Sequence, residues 1–124
     1  MTSKITKIII TDADNTVGSK LIEIINSFEN NSLVPTWFRL KLENLKDDDL
    51  WENEYLMKYD VWVNKMLDKK WKLKDIQVRD FSIQIDLELF GKSNYSELLS
   101  IISILGIDLN NVLVEDSYFG NYTP

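Results

Sequence analysis

Residues 80–90, "DFSIQIDLELF", carry the most regular period of two in the chain. Phe81, Ile83, Ile85, Leu87 and Leu89 fall on one side and Ser82, Gln84, Asp86 and Glu88 on the other, because successive side chains of a strand point to opposite faces. A strand with one polar face belongs to a sheet covered on one side, so helices are expected mainly on the other. That argues against a doubly wound sheet buried on both faces. The expected class is α+β: a single domain over residues 1–124, a two-layer sandwich with about four strands in a mixed sheet, in the order β-α-β-α-β-α-β.

The remaining elements follow from local pattern. Residues 5–11 read as a buried strand because Ile8, Ile9 and Ile10 form a continuous β-branched run ahead of a turn signal. Gly18 and Ser19 then begin a helix, with Ser19 as N-cap and Leu21, Ile22, Ile25 and Phe28 at helical spacing. After Pro35, "TWFRLKLE" alternates, with Phe38, Leu40 and Leu42 on one face, and predicts a half-exposed strand. Residues 46–75 predict one or two helices: Asp49 caps a first segment, and Val61, Trp62, Met66 and Leu67 mark a second that ends in a lysine-rich turn. A later helix opens at Asn94, with Glu97 three residues on, runs through Leu98, Leu99, Ile101, Ile102 and Leu105, and closes at Gly106. Val112, Leu113 and Val114 make a last short strand.

Composition narrows the chemistry. Of 124 residues, 44% are hydrophobic and 11% aromatic, enough for one core without metal or disulfide staples. There is no cysteine and no histidine, so a thiolate nucleophile, a zinc-thiolate site and the commonest general base are all excluded. A formal charge of −6 argues against duplex nucleic acid or an anionic membrane as partner and favours a basic one. No apolar run approaches the roughly 20 residues that span a bilayer, and "MTSKITKIII" is too short for a signal peptide. A soluble cytoplasmic protein without cofactor or metal is the expectation.

Two constellations stand out. In "KITKIIITDADNTVG" an apolar strand runs into Asp12, Asp14 and Thr16, and downstream "GKSNYSELLSIISILGIDLNNVLVEDS" carries Lys92, Glu115 and Asp116. Together these resemble the first and later blocks of the haloacid dehalogenase superfamily of phosphotransferases. The resemblance implies Asp12 as nucleophile, Asp14 as acid and base, Lys92 steadying phosphate, and Glu115 and Asp116 holding Mg²⁺ at the end of a parallel sheet. That family's second signature, a Ser or Thr after the second strand, has no counterpart here, and the eight residues after Asp116 leave no room for a further strand and helix. The same aspartates also read as an ordinary turn with helix caps. "GKS" at 91–93 lacks the upstream glycine of a phosphate-binding loop and reads as a turn.

The second constellation, "LKDDDLWENEYLMKYDVW", interleaves Asp47, Asp48, Asp49, Glu52 and Glu54 with Trp51, Tyr55, Tyr59 and Trp62. On one continuous helix the four rings would form a stripe. The stripe reads either as core or as anchors of a contact, with the carboxylates exposed in both cases. Over the whole chain, this size, acidity, aromatic content and strand-helix pattern resemble the immunity proteins of bacterial toxin systems, including those of contact-dependent growth inhibition. The resemblance implies a protein with no catalytic residues that neutralises a cognate toxin domain, a nuclease with a basic cleft, through Asp47, Asp48, Asp49, Trp51, Glu52, Glu54 and Tyr55. A small Mg²⁺-dependent phosphatase and a phage-encoded acidic inhibitor of a nucleic-acid-binding protein are the alternatives.

Overall fold

A computed structural model describes residues 3–90 and 95–118. The elements are β1 (Ser3–Thr11), α1 (Asn15–Asn31), α2 (Thr36–Glu43), α3 (Asp47–Glu52), α4 (Tyr59–Leu67), β2 (Trp71–Val78), β3 (Ser82–Phe90), α5 (Ser96–Ile104) and β4 (Val112–Tyr118), with a single 3-10 turn at Leu109–Asn111. The class is α+β, with four strands among the described residues. The sheet is antiparallel throughout rather than mixed, in the order β2-β3-β1-β4. The chain divides into two compact units, one built on the four strands and the other on α2 to α5 with most of α1.

In the strand unit, β1 lies between β3 and β4. Ile8 faces Ile85 and Val114 across the two ladders, and Ile10 faces Ile83 and Val112. Directly opposed residues share a face, so Thr6, Ile8, Ile10, Ile83, Ile85, Leu87 and Leu89 form one buried surface. Burying each large aliphatic side chain stabilises by roughly 1.5–3 kcal/mol. The expected alternation of β3 is present from Ile83 onward. Phe81 departs from it, lying in the β2–β3 connection with 77% of its surface exposed.

Residues 71–78 are a strand, so the helical stretch expected over 46–75 stops short of Trp71. The register shifts between Leu73 and Asp75, so the inward positions run Trp71, Leu73, Ile76, Val78. A bulge inserts one residue and breaks the period of two, leaving spacings that match neither a strand nor a helix template. α1 begins four residues before the expected cap Ser19 and takes Gly18 into its first turn. A Cβ on Gly18 would lie 2.7 Å from Cγ2 of Val78. Glycine is therefore needed there because the Val78 side chain packs against the helix backbone.

In the helical unit, "TWFRLKLE" is helix α2, not a strand. Phe38 and Leu42, four apart, are buried, while Leu40 between them is 49% exposed. Pro35 stands at the N-cap, and its carbonyl accepts N–H bonds from Phe38 and Arg39. Proline suits a helix start, and nothing in 36–43 except Thr36 is β-branched. Trp62 is the centre of this unit: its ring lies 5.4 Å from Phe28, 5.1 Å from Phe38 and 6.4 Å from Tyr59 between centroids. Its indole N–H donates to the Glu97 carbonyl at 3.1 Å, which satisfies the one polar group that burial of a tryptophan strands. Of the other positions expected to mark this helix, Met66 is buried, whereas Val61 and Leu67 are exposed. α5 ends as expected at Gly106, with φ of +82° and the Ile107 N–H returning to the Ile102 carbonyl. Asn94, the expected opening residue, lies outside the described residues.

Candidate functional site

The acidic aromatic segment divides into two short helices rather than one. α3 spans six residues and ends where Asn53 becomes extended, with its side-chain oxygen accepting from the Tyr55 N–H at 3.0 Å. An Asn that bonds a backbone N–H two residues on favours a turn over helix, so residues 53–58 are non-helical and α4 starts afresh at Tyr59. The four rings thus form no continuous stripe. Trp51 lies on α3, Tyr55 in the connection, and Tyr59 and Trp62 on α4.

Within α3 the side chains divide by face. Asp49 and Leu50 are half-buried; the helix starts at Asp47 with Lys46 at the N-cap, so Asp49 is its third residue rather than the cap expected, and its Oδ2 reaches back to accept from the Lys46 N–H at 2.9 Å. Asp47, Asp48, Trp51 and Glu52 are exposed. Residues three and four apart on a helix are neighbours, which sets Asp47 and Asp48 beside Trp51, and Glu52 beside Asp48. The Trp51 ring is 88% exposed. Glu54 is exposed as well. Tyr55 is half-buried and its carbonyl accepts a hydrogen bond from the Ser100 hydroxyl. Loss of water contact, then the charge and hydrogen bond of Glu54, push the Tyr55 phenol above its ordinary pKa. Tyr55 is therefore a fixed part of the connection rather than a second outward anchor like Trp51.

Two further carboxylates join these, Glu43 from outside the segment singled out in the sequence and Asp60 from within it. Glu43 at the end of α2 and Asp60 at the start of α4 line an open cavity of about 320 Å³ with Lys58 and Tyr59. The Lys58 ammonium is turned to the Leu45 carbonyl, and Arg39 pairs with Glu43 at 2.9 Å and lies 5.6 Å from the Tyr59 ring centroid. Residues 43–60 hold seven carboxylates against two lysines, a local balance of −5 in a chain whose balance is −6. The run of aspartates was visible in the sequence. The contribution of Glu43 and Asp60 depends on α2 packing against α4, which no spacing in the sequence reports.

Of the residues in the phosphotransferase resemblance, the described ones lie apart. Asp12 is exposed with φ of +56°, and the exposed Asp14 accepts the Val17 N–H at 3.1 Å, which makes it the cap of α1. Asp116 is paired with Thr6, six residues along β1 from Asp12 and so roughly 20 Å away at the rise of a strand. Among the described residues the sheet has none of the parallel pairs that resemblance implies. Lys92 and the rest of "GKS" lie outside the described residues.

No protein-family profile, curated protein or solved structure matches the chain. Among the described residues no three metal-ligating side chains gather into a metal site, and no helix is long and apolar enough to cross a membrane.

Proposed function

We propose that the chain is an immunity-type inhibitor, a cytoplasmic, non-enzymatic protein that binds and neutralises a cognate bacterial toxin domain, a nuclease with a basic cleft. The observation that carries this reading is the Trp51 ring, 88% exposed and flanked on one helix face by Asp47, Asp48 and Glu52. A large aromatic side chain buries roughly 150–250 Å² when covered, worth roughly 4–6 kcal/mol at about 25 cal/mol per Å² before ordering costs are subtracted. A monomer gains nothing from leaving that surface in water. The carboxylates around it take the place of substrate phosphates and pair with the lysines and arginines of the cleft.

The test is a titration calorimetry measurement against the toxin domain encoded beside the gene. Tight 1:1 binding is expected, and Trp51→Ala should weaken it by about 30-fold or more, equivalent to about 2 kcal/mol. The same substitution should leave the unfolding midpoint unchanged, since the ring packs on nothing that folding needs. Absence of binding by every neighbouring toxin product, or full affinity in Trp51→Ala, overturns the reading.

A further inference from the structure

The chain leaves α2 at Glu43, runs out through α3 and returns into α4 at Tyr59. Residues 45–58 make up this excursion and divide by exposure. Leu45, Leu50 and Leu56 are half-buried and Met57 is buried, whereas Asp47, Asp48, Trp51, Glu52 and Glu54 are exposed. A segment packed on its own apolar side chains, with its ends brought together, is a compact surface loop of the kind that often carries function. One side chain joins the ends here: the Lys58 ammonium donates to the Leu45 carbonyl. It takes that carbonyl although the carboxylates of Glu43 and Asp60 line the same cavity. A lysine on those acids would neutralise charge, but on the carbonyl it closes a loop. The returning limb is held a second time, because the buried Ser100 hydroxyl of α5 donates to the Tyr55 carbonyl.

We infer that Lys58 is a positioning residue: its clasp on Leu45, together with Ser100 on Tyr55, holds residues 45–58 in one conformation and presents Trp51 with its flanking carboxylates already ordered to a basic partner protein. α3 is six residues long, and a helix of that length is not stable by itself in water, so its order has to come from ties of this sort. A loop ordered before binding spares the complex the entropy of ordering it afterwards. The role in recognition rests on the function proposed above. The order of the loop in the free chain does not. Charge and position make opposite predictions for Lys58. Removing it takes the local balance of residues 43–60 from −5 to −6, so a lysine acting through charge alone would weaken binding to a basic partner and its loss would strengthen it. Loss of a clasp weakens binding instead.

Amide hydrogen exchange, followed by NMR on the free full chain, tests the clasp, and titration calorimetry with the toxin domain encoded beside the gene tests its consequence. The N–H groups of Leu50, Asn53 and Tyr55 bond to Lys46, Asp49 and Asn53 within the loop. In Lys58→Met, which keeps the stem and removes the donor, they should exchange about tenfold faster while the amides of β1 and β3 keep their protection. Ser100→Ala should accelerate Tyr55 in the same way. Lys58→Arg retains a donor and should restore most of the protection. Lys46→Met makes the same charge change at an exposed position of the loop and should leave exchange as it is. Toxin binding should weaken about tenfold in Lys58→Met, against the direction of the charge change, and should not weaken in Lys46→Met. Unaltered exchange in both Lys58→Met and Ser100→Ala, equal acceleration in Lys46→Met, or binding by Lys58→Met as tight as that of the unaltered chain overturns the inference. A toxin that fails to bind the unaltered chain removes the function proposed above, and the exchange measurement still decides the clasp.

Discussion

Tyr55 reports on the connection that separates α3 from α4. Its phenol is held above the ordinary value near 10 by reduced water contact and by the Glu54 carboxylate. A folded-state pKa above the unfolded one means the folded chain keeps that proton more tightly. The contribution is therefore complete below about pH 10 and lost as pH rises through the folded value. Ultraviolet titration should show a Tyr55 midpoint that moves down in Glu54→Gln and vanishes in Tyr55→Phe. Gly18 makes a steric argument instead. Alanine usually gains up to about 1 kcal/mol over glycine inside a helix, but here the new methyl would meet Val78 at 2.7 and 3.0 Å. Gly18→Ala should lower stability by about 1–3 kcal/mol in denaturant unfolding, and Val78→Ala should restore much of it in the double variant. Gly18 was conspicuous in the sequence, but as a turn former. Its reason, a neighbour sixty residues away, is not written in its surroundings.

The helix α2 shows why an element can be misread. "TWFRLKLE" satisfies a period of two through Phe38, Leu40 and Leu42 and a helical period through Phe38 and Leu42. Eight residues cannot discriminate, because Leu40 alone tells the two apart. In the structure Leu40 is exposed and Leu42 fully buried. Leu42→Ala should cost about 2–5 kcal/mol and Leu40→Ala about 0.5 kcal/mol or less by thermal or denaturant unfolding. Equal costs would restore the strand. β2 was hidden for a different reason. Its bulge shifts the inward positions by one residue, and it is stabilised by pairing with β3, from Trp71↔Leu89 to Val78↔Ile83, rather than by its own pattern. By contrast β3 and the glycine end of α5 were legible, since alternation and a left-handed cap are local in origin.

At the scale of the whole molecule the charge is unevenly distributed. With −5 of −6 in residues 43–60, a basic partner approaching in solution is steered toward one stretch of the chain. For the inhibitor proposed above, stopped-flow association with its toxin domain should slow as salt is added. The triple variant Asp47→Asn, Asp48→Asn, Glu52→Gln should lower the association rate and flatten that salt dependence, while dissociation changes little. The sequence by itself determined the α+β class, the alternating β3, the capped turn after β1 and the position of the carboxylates, because these rest on side-chain period, turn chemistry and charge, all local quantities. The tertiary structure alone decided that every strand pair is antiparallel, that 36–43 is helix and 71–78 strand, and that Trp51 stands in solvent while Trp62 fills the core. The physical reason is that burial and pairing are made by residues far apart along the chain: Trp62 meets Phe28, Phe38 and the Glu97 carbonyl, and among the described residues no such group covers Trp51.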